Sequence, residues 1–228
     1  MNYIIIVLGI IVLILIYILY KYFTTTASSL TAKASLNVGP PLSIPITANP
    51  QSVSYAYGLW VSVNTWSTGV KKIFSRANST TGTQISLELG STSPVLTCTI
   101  EQTCATGATG ATGPMTITTN FPIQQWVYVV ISVDGQMVDL YLNGLLTKSV
   151  QLNCMATAPA ATAPVILGSG YDAQIAGFQR WTTPLNPQNV WSNYIAGNGS
   201  SMNNMFPSYG VNVGLTQNCV QQNTFTLF

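Results

Sequence analysis

Hydrophobic residues follow two different patterns along this chain. From Ile4 to Leu19 they form one continuous run, IIIVLGIIVLILIYIL, and no charged residue occurs between Met1 and Tyr20. Beyond residue 52 they occur in short runs that alternate with polar residues and are separated by Gly, Pro, Asn and Asp. A long continuous run predicts one apolar helix, whereas short alternating runs predict half-buried β-strands. The pattern therefore divides the chain into an N-terminal helix and a β-rich remainder.

The N-terminal run has the length and the flanking residues of a membrane anchor. About 20 helical residues span the roughly 30 Å hydrocarbon core of a bilayer. Tyr3 and Tyr20 lie near the two ends of the run, where aromatic rings favour the membrane interface, and Lys21 ends it. A cleaved signal peptide would have a basic residue before a shorter apolar core. We therefore expect residues 1–22 to form a retained transmembrane helix.

Short strands dominate the sequence after residue 52. The predicted strands are 53–63, 70–76, 84–90, 94–100, 115–119, 126–133, 136–143, 145–151, 164–168 and 174–182. Asp134-Gly135 and Asn143-Gly144 each offer a tight turn between two of them. Regular short strands with little helix predict an all-β antiparallel sandwich over residues 53–197.

One short helix is predicted near the end of this sandwich, over Pro187–Ala196. Asn186 can cap its N-terminus, Pro187 suits the first helical position, and Gly197 can end it. Two segments flank the sandwich. Residues 23–52 are rich in Pro, Thr and Ser and are predicted to be an extended stalk. Residues 198–228 are predicted to be a tail that packs on the domain or on a neighbouring protein.

Composition narrows the possible functions. Charged residues make up 5% of the chain, His is absent and the net charge is +2, whereas a typical globular chain has about 25% charged residues. So few cations exclude nucleic acid as a partner, because nucleic-acid binding needs a clustered basic surface. The chain has five carboxylates, with no E-x-D-x-x-E arrangement, and no His-dependent catalytic site is possible. We therefore predict a protein that is not an enzyme and needs no cofactor.

Four cysteines, Cys98, Cys104, Cys154 and Cys219, allow three complete disulfide pairings. We expect Cys98–Cys104, which closes a short loop, and Cys154–Cys219, which ties the tail to the domain. Four free thiols are the alternative. Bridges indicate an oxidising history, whereas lysines only after the apolar run favour a cytosolic domain. A particle assembled with its own oxidising chemistry would reconcile the two.

A few polar and aromatic residues are candidates for binding. Asp172 is the loop carboxylate that could ligate Ca²⁺, but one carboxylate is a small ligand set, and a solvated loop side chain is the favoured interpretation. Asn78 and Asn198 begin N-glycosylation tripeptides. Trp60 and Trp126 lie in predicted strands and are expected in the core, while Trp66, Trp181 and Trp191 are less settled. One basic cluster, Lys71-Lys72 with Arg76, is expected on a solvated strand face, with a subunit contact as the alternative.

The segment 125–152 resembles the concanavalin A-like, laminin-G-type jelly-roll family. The resemblance rests first on Trp126, Asp134-Gly135, Leu140-Tyr141 and Asn143-Gly144. Further segments match the family in the same order along the chain. Tyr57–Val61 lies before residues 125–152, and the segments after them are Val165–Gly168, Ile175–Phe178, Pro184-Leu185 and Asn189–Ile195. It implies an antiparallel jelly roll, and family members of this kind sometimes bind calcium or sugars.

The combination of anchor, domain and neutral surface also resembles minor capsid proteins of large icosahedral DNA viruses, which are anchored in an inner membrane. That resemblance implies a single-pass protein of the virion, inserted in a host membrane during assembly. Its partners would be the lipid bilayer and capsid or coat subunits, and it would link membrane to shell. The alternative function is a carbohydrate-binding lectin or adhesin module without catalytic activity.

Overall fold

The computed structural model describes residues 3–24, 27–37, 39–77, 82–105, 109–111, 113–198, 212–217 and 220–226. The helices are α1 (Tyr3–Thr24) and α2 (Pro187–Ile195). The strands are β1 (Ala27–Ser35), β2 (Ser43–Ile44), β3 (Ser54–Val63), β4 (Lys71–Ala77), β5 (Thr83–Leu89), β6 (Leu96–Thr103), β7 (Thr109–Ala111), β8 (Met115–Thr118), β9 (Val127–Asp134), β10 (Met137–Leu142), β11 (Leu145–Gln151), β12 (Met155–Ala156), β13 (Val165–Leu167), β14 (Ala173–Trp181), β15 (Asn212–Gln217) and β16 (Val220–Thr226).

Two antiparallel sheets form the domain. Sheet I has the order β1-β14-β3-β9-β10-β11, and sheet II has the order β12-β6-β5-β4-β13-β2, with β7 and β8 also pairing with β6. The predicted all-β sandwich is confirmed. The ten predicted strands correspond to β3–β6, β8–β11, β13 and β14, with ends within about three residues, a normal error for strand boundaries.

The main core lies between the two sheets, and its residues follow the two-residue period of a strand. On β3, Tyr55, Tyr57, Leu59 and Val61 face sheet II and are fully or almost fully buried. The alternate residues of β3 face the other way into a second cluster, which includes Trp60. The centre of sheet I is thus covered on both faces, which explains why β3 and β9 are buried almost throughout.

Helix α2 covers the outer face of sheet I. Asn186 caps it as predicted, since its Oδ1 accepts a hydrogen bond from the Asn189 N–H at 2.8 Å. Val190 is fully buried in the second cluster. The end of the helix is held by Trp60, whose Nε1 donates to the Gly197 carbonyl at 3.0 Å.

The predicted stalk over residues 23–52 is wrong, because most of this segment belongs to the sandwich. Strand β1 pairs antiparallel with β14, and β2 pairs with β13. Leu36 is buried in the main core, and its N–H donates to the Ala173 carbonyl at 2.8 Å. Without β1, the backbone groups of β14 on that edge would lack partners. The domain therefore begins near Ala27 rather than at residue 53.

The two chain ends have their own elements. Helix α1 forms as the apolar run predicts, and its described side chains, Leu8–Tyr17 and Leu19, are exposed. Counted over the residues that are described in full, no helix is long and apolar enough to cross a membrane. In the tail, β15 and β16 pair with each other. Cys219 and residues 199–211 lie outside the described residues, so the packing of the tail stays a prediction.

Candidate functional site

A disulfide joins Cys104 to Cys154, with their Cα atoms 4.9 Å apart. The predicted pairs Cys98–Cys104 and Cys154–Cys219 are therefore wrong, and Cys219 lies outside the described residues. Cys98 lies on the inward face of β6 and is fully buried as a free thiol, and this burial raises its pKa. Six residues of extended strand reach about 20 Å, so Cys98 could not meet Cys104 while β6 is formed.

Two open clefts flank this disulfide. One has a volume of about 400 Å³ and is lined by Gln102, Gln151, Leu152 and Asn153 among others. The second has a volume of about 560 Å³, is lined by Gln136, Met155 and the two cysteines, and shares Asn153 with the first. We call the two clefts together the amide groove, after the side chains of Gln102, Gln136, Gln151 and Asn153. Their combined size is in the range of small-molecule binding sites, about 300–1,000 Å³.

Backbone hydrogen bonds and the disulfide hold the amide groove in one shape. The Gln102 side chain accepts a hydrogen bond from the Cys154 N–H at 3.1 Å. The turn between β9 and β10 is tied to the same region, because the Leu152 N–H donates to the Gln136 carbonyl at 2.8 Å. The Ala156 N–H likewise donates to the Gly135 carbonyl at 3.0 Å. The groove is therefore preformed on strand ends and needs little ordering to bind a ligand.

The lining chemistry is neutral and rich in hydrogen-bonding groups. Each carboxamide offers two donors and an accepting oxygen. Gln136, Gln151 and Asn153 are exposed, whereas Met115 and Leu152 give the groove buried apolar patches. Such a surface suits a neutral ligand that carries many hydroxyl groups.

Asp172 stabilises the loop between β3 and β4 through hydrogen bonds. Its Oδ1 accepts from the Asn64 Nδ2 at 2.9 Å, and its Oδ2 accepts from the Thr65 hydroxyl at 3.2 Å. In the part of the chain that is described, no three His, Cys, Asp or Glu side chains come together as a metal site would require. Asp172 is therefore not part of a cluster of three such ligands within the described residues.

The expectation that Lys71, Lys72 and Arg76 lie on one solvated face is wrong for two of them. Lys72 is exposed and pairs with Glu88 at 3.6 Å, but Lys71 and Arg76 are almost fully buried. A bulge after Lys72 shifts the register of β4 against β5 and breaks the simple alternation. Lys71 Nζ donates to the Gly69 carbonyl at 2.9 Å and lies 3.9 Å from the Trp66 ring centroid, and desolvation lowers its pKa.

The five tryptophans occupy different environments. Trp60 and Trp181 are buried in the cluster under α2, and Trp126 packs against the same cluster while half-buried. Trp66 is half-buried against the main core. Trp191 is 45% exposed, and its ring lies so close to Gly144 that an added Cβ would be 2.7 Å away.

The two candidate glycosylation residues are only partly covered by the structure. Asn78 lies outside the described residues. Asn198 is half-buried, and the two residues that complete its tripeptide also lie outside the described residues. Glycosylation at either position stays a prediction.

The sequence pattern of a known superfamily covers the sandwich. A family model described as the concanavalin A-like lectin/glucanases superfamily matches residues 37–192. The chain belongs to this superfamily. The resemblance found in the segment 125–152 is thereby confirmed, and the concanavalin A-like domain includes part of the segment that was expected to be a stalk. No curated protein matches the chain in sequence.

Solved structures agree with this assignment at the level of the fold. The botulinum neurotoxin serotype G binding domain is similar with a TM-score of 0.53 and 14% identity, over 75% of this chain and 46% of that one. The serotype D ligand binding domain in complex with N-acetylneuraminic acid has a TM-score of 0.57 and 12% identity, over 74% and 43%. The chain thus spans less than half the length of these proteins, and identities this low show the concanavalin A-like fold alone.

Sequence reasoning missed the amide groove. Gln and Asn are frequent throughout this chain, so nothing marks Gln102, Gln151 and Asn153 as special. The available signal is position, since Gln102 precedes Cys104 by two residues and Asn153 directly precedes Cys154. That signal becomes readable only when the correct disulfide pair is known.

Proposed function

We propose that the concanavalin A-like domain is a carbohydrate-binding module without catalytic activity, and that neutral glycans bind in the amide groove. The observation that carries this proposal is the preformed pair of clefts around the Cys104–Cys154 disulfide, lined by four carboxamides. The membership of the superfamily is consistent with it.

The physical argument is the match between ligand and lining. A neutral sugar presents hydroxyl groups that both donate and accept, and a carboxamide does the same. When a neutral ligand binds to a lining without charged side chains, no charged group has to lose its hydration. The groove is also open, which suits a chain of sugar units better than one enclosed small molecule.

The botulinum neurotoxin domains support this proposal only indirectly. One was solved in complex with N-acetylneuraminic acid, and the cell entry of the type C neurotoxin depends on interaction with two ganglioside molecules. Because this chain spans less than half of those proteins, the part that carries their ligands need not be the shared part. The proposal therefore rests on the groove of this chain.

Removal of two exposed carboxamides is the direct test. We expect the full chain in detergent to bind a subset of a neutral glycan array, and Gln151→Ala with Asn153→Ala to weaken that binding at least about tenfold. Both side chains are exposed, so the double variant should unfold at the same temperature as the wild type. Binding is measured by titration of the best array ligand.

A matched control is available on α2. Gln188→Ala with Asn189→Ala removes two exposed carboxamides from a helix that contributes nothing to the groove, and it should bind normally. Equal loss in both double variants, or an array with no bound glycan, would refute the groove as the site. Binding that depends on Asp172 instead would move the site to the loop after β13.

We also propose that α1 inserts into a lipid bilayer and that the protein links an inner membrane to a capsid shell. The observation that favours this second function is the surface of α1, where all described side chains are apolar and 46–68% exposed. Exposed contiguous apolar surface of this size is covered by a membrane or by a partner. The very low charge of the chain suits a domain that is surrounded by neighbouring subunits.

A charge in the middle of α1 tests the membrane part of this proposal. Leu13→Arg is expected to cost about 3 kcal/mol of insertion free energy and to release the protein from membranes. Alkaline extraction of membranes measures the released fraction, and Leu13→Ile is the apolar control. If Leu13→Arg stays in the membrane fraction as the wild type does, α1 is not the anchor.

The virion part has a separate test. In purified particles, the domain is expected to resist protease until the shell is opened and to remain with the shell after mild detergent. Release of the domain by mild detergent alone would contradict a link to capsid subunits.

A further inference from the structure

Two arginines are buried at one end of the sandwich, and both donate to neutral groups. Arg76 donates to the carbonyls of Ala163 at 3.0 Å and Pro50 at 2.8 Å, and to the Tyr57 hydroxyl at 3.4 Å. Arg180 donates to the carbonyls of Ala48 at 2.6 Å and Asn49 at 2.8 Å, and its guanidinium also interacts with the Tyr57 hydroxyl. Their exposed fractions are 1% and 0%.

In the described part of the chain, no carboxylate pairs with either arginine. Glu88 pairs with Lys72, and the three aspartates accept hydrogen bonds from Ser, Thr or Asn side chains, namely Asp134 from Ser54, Asp139 from Ser149, and Asp172 from Asn64 and Thr65. Among the described residues, Lys72–Glu88 is the one ion pair. Buried charges without a counter-charge are strongly unfavourable. Desolvation, together with repulsion from Arg76, lowers the pKa of Arg180.

A cavity adjoins Arg180. Its volume is about 80 Å³, and it lies between β1 and the segment that follows β2. The hydroxyl-bearing residues Ser28, Ser29 and Thr47 line it together with Arg180. Arg180 Nε is buried and has no hydrogen-bond partner among the described residues. The cavity thus combines a buried cationic side chain that has one N–H without a partner with hydroxyl donors, and an oxyanion accepts hydrogen bonds from such groups.

We propose that this cavity, which we call the Arg180 cavity, binds a small oxyanion, a carboxylate or an inorganic oxyanion, as the counter-charge of the two buried arginines. Arg180 supplies positive charge and the Nε–H donor, and Ser28, Ser29 and Thr47 supply neutral donors. The size of the cavity limits the ligand to one anionic head group. This site is separate from the amide groove, which contains no charged side chain.

The two arginines also stabilise the segment that precedes β3, because they donate hydrogen bonds to the carbonyls of residues 48–50. That role accounts for the Nη contacts of both side chains. It does not account for Arg180 Nε, for the adjoining hydroxyl groups, or for a second guanidinium placed nearby without a carboxylate. Anion binding accounts for all three.

Direct binding to the full chain in detergent tests the proposal. Radiolabelled sulfate is measured by equilibrium dialysis at constant ionic strength, with chloride as the replaced anion. We expect saturable binding of one sulfate per chain, displaced by phosphate and acetate, and a rise in the midpoint of thermal unfolding over the same concentration range. Displacement of sulfate by glucuronate would show that the carboxylate of an acidic sugar also reaches the site. If glucuronate does not displace sulfate, the site binds free small anions only.

Three variants separate a specific site from a general salt effect. Ser29→Ala with Thr47→Val removes two hydroxyl groups and leaves both arginines in place. Arg180→Lys keeps the positive charge but removes the guanidinium and its Nε–H. Each is expected to weaken sulfate binding at least about tenfold. Lys72→Gln removes an exposed cation and is expected to bind as the wild type does. Absence of saturable binding in the wild type, or equal binding in all variants, would overturn the proposal, and the hydroxyl variant decides if Arg180→Lys fails to fold.

Discussion

Gly168→Ala is expected to destabilise the domain by at least about 3 kcal/mol and to leave little folded protein. Gly168 directly follows β13, and its N–H donates to the Ile73 carbonyl at 2.9 Å. A Cβ at this position would lie 1.6 Å from the carbonyl oxygen of Lys72 and 2.7 Å from its carbonyl carbon. Both atoms are backbone, so no side-chain rotation can relieve the clash. Strands β4 and β13 would have to separate, which would break sheet II.

Gly113→Ala is the matched control for this steric effect. An added Cβ at Gly113 meets no atom within 4 Å, so the same substitution should change stability by less than about 1 kcal/mol. Unfolding by urea, followed by tryptophan fluorescence, measures both variants. A Gly168→Ala protein with a normal midpoint would show that β13 does not pack closely against β4.

The strands of the domain could be predicted because local signals agree with the fold. Between Gln125 and Leu152, the Asp134-Gly135 and Asn143-Gly144 pairs mark two tight turns that fix the register of neighbouring strands, although the first turn consists of Gly135 and Gln136, one residue later than predicted. The alternating pattern fixes which face is buried. The ends of helix α2 could likewise be predicted, from Asn186 and Pro187 at its start and Gly197 after its end.

The first two strands could not be predicted, because their partners are distant in sequence. Strand β1 pairs with β14, which lies more than a hundred residues later. Its sequence, ASSLTAKAS, is mostly small and polar and lies before a Pro-rich segment. Such a segment becomes a strand only because the edge of sheet I offers hydrogen-bond partners.

The buried cations were also beyond sequence reasoning. Arg180 follows the strict alternation of β14 only after the bulge near Gly177, where the backbone φ angle is +54°. Bulges change the face on which every later residue lies, and a pattern of two does not reveal where they occur. The same holds for Lys71 and Arg76 around the bulge in β4.

Loss of the Cys104–Cys154 disulfide is expected to cost about 4 kcal/mol of stability. The two cysteines are 50 residues apart in sequence, and in the chain-entropy model the stabilisation grows with the length of the closed loop, to about 4 kcal/mol for this length. The double variant Cys104→Ser with Cys154→Ser should therefore unfold at a much lower urea concentration than the wild type. It should also bind glycans more weakly, because the two cysteines line the larger cleft of the amide groove.

A reductant provides the control for the disulfide prediction. Dithiothreitol should lower the midpoint of the wild type to that of the double variant and should leave the double variant unchanged, since Cys98 is buried and unpaired. Non-reducing peptide mapping should join the peptides of Cys104 and Cys154. A Cys98–Cys104 peptide, or a midpoint that reductant does not shift, would contradict the pairing. Stable folding of the double variant with normal glycan binding would instead show that the backbone hydrogen bonds of Leu152 and Ala156 suffice to shape the groove.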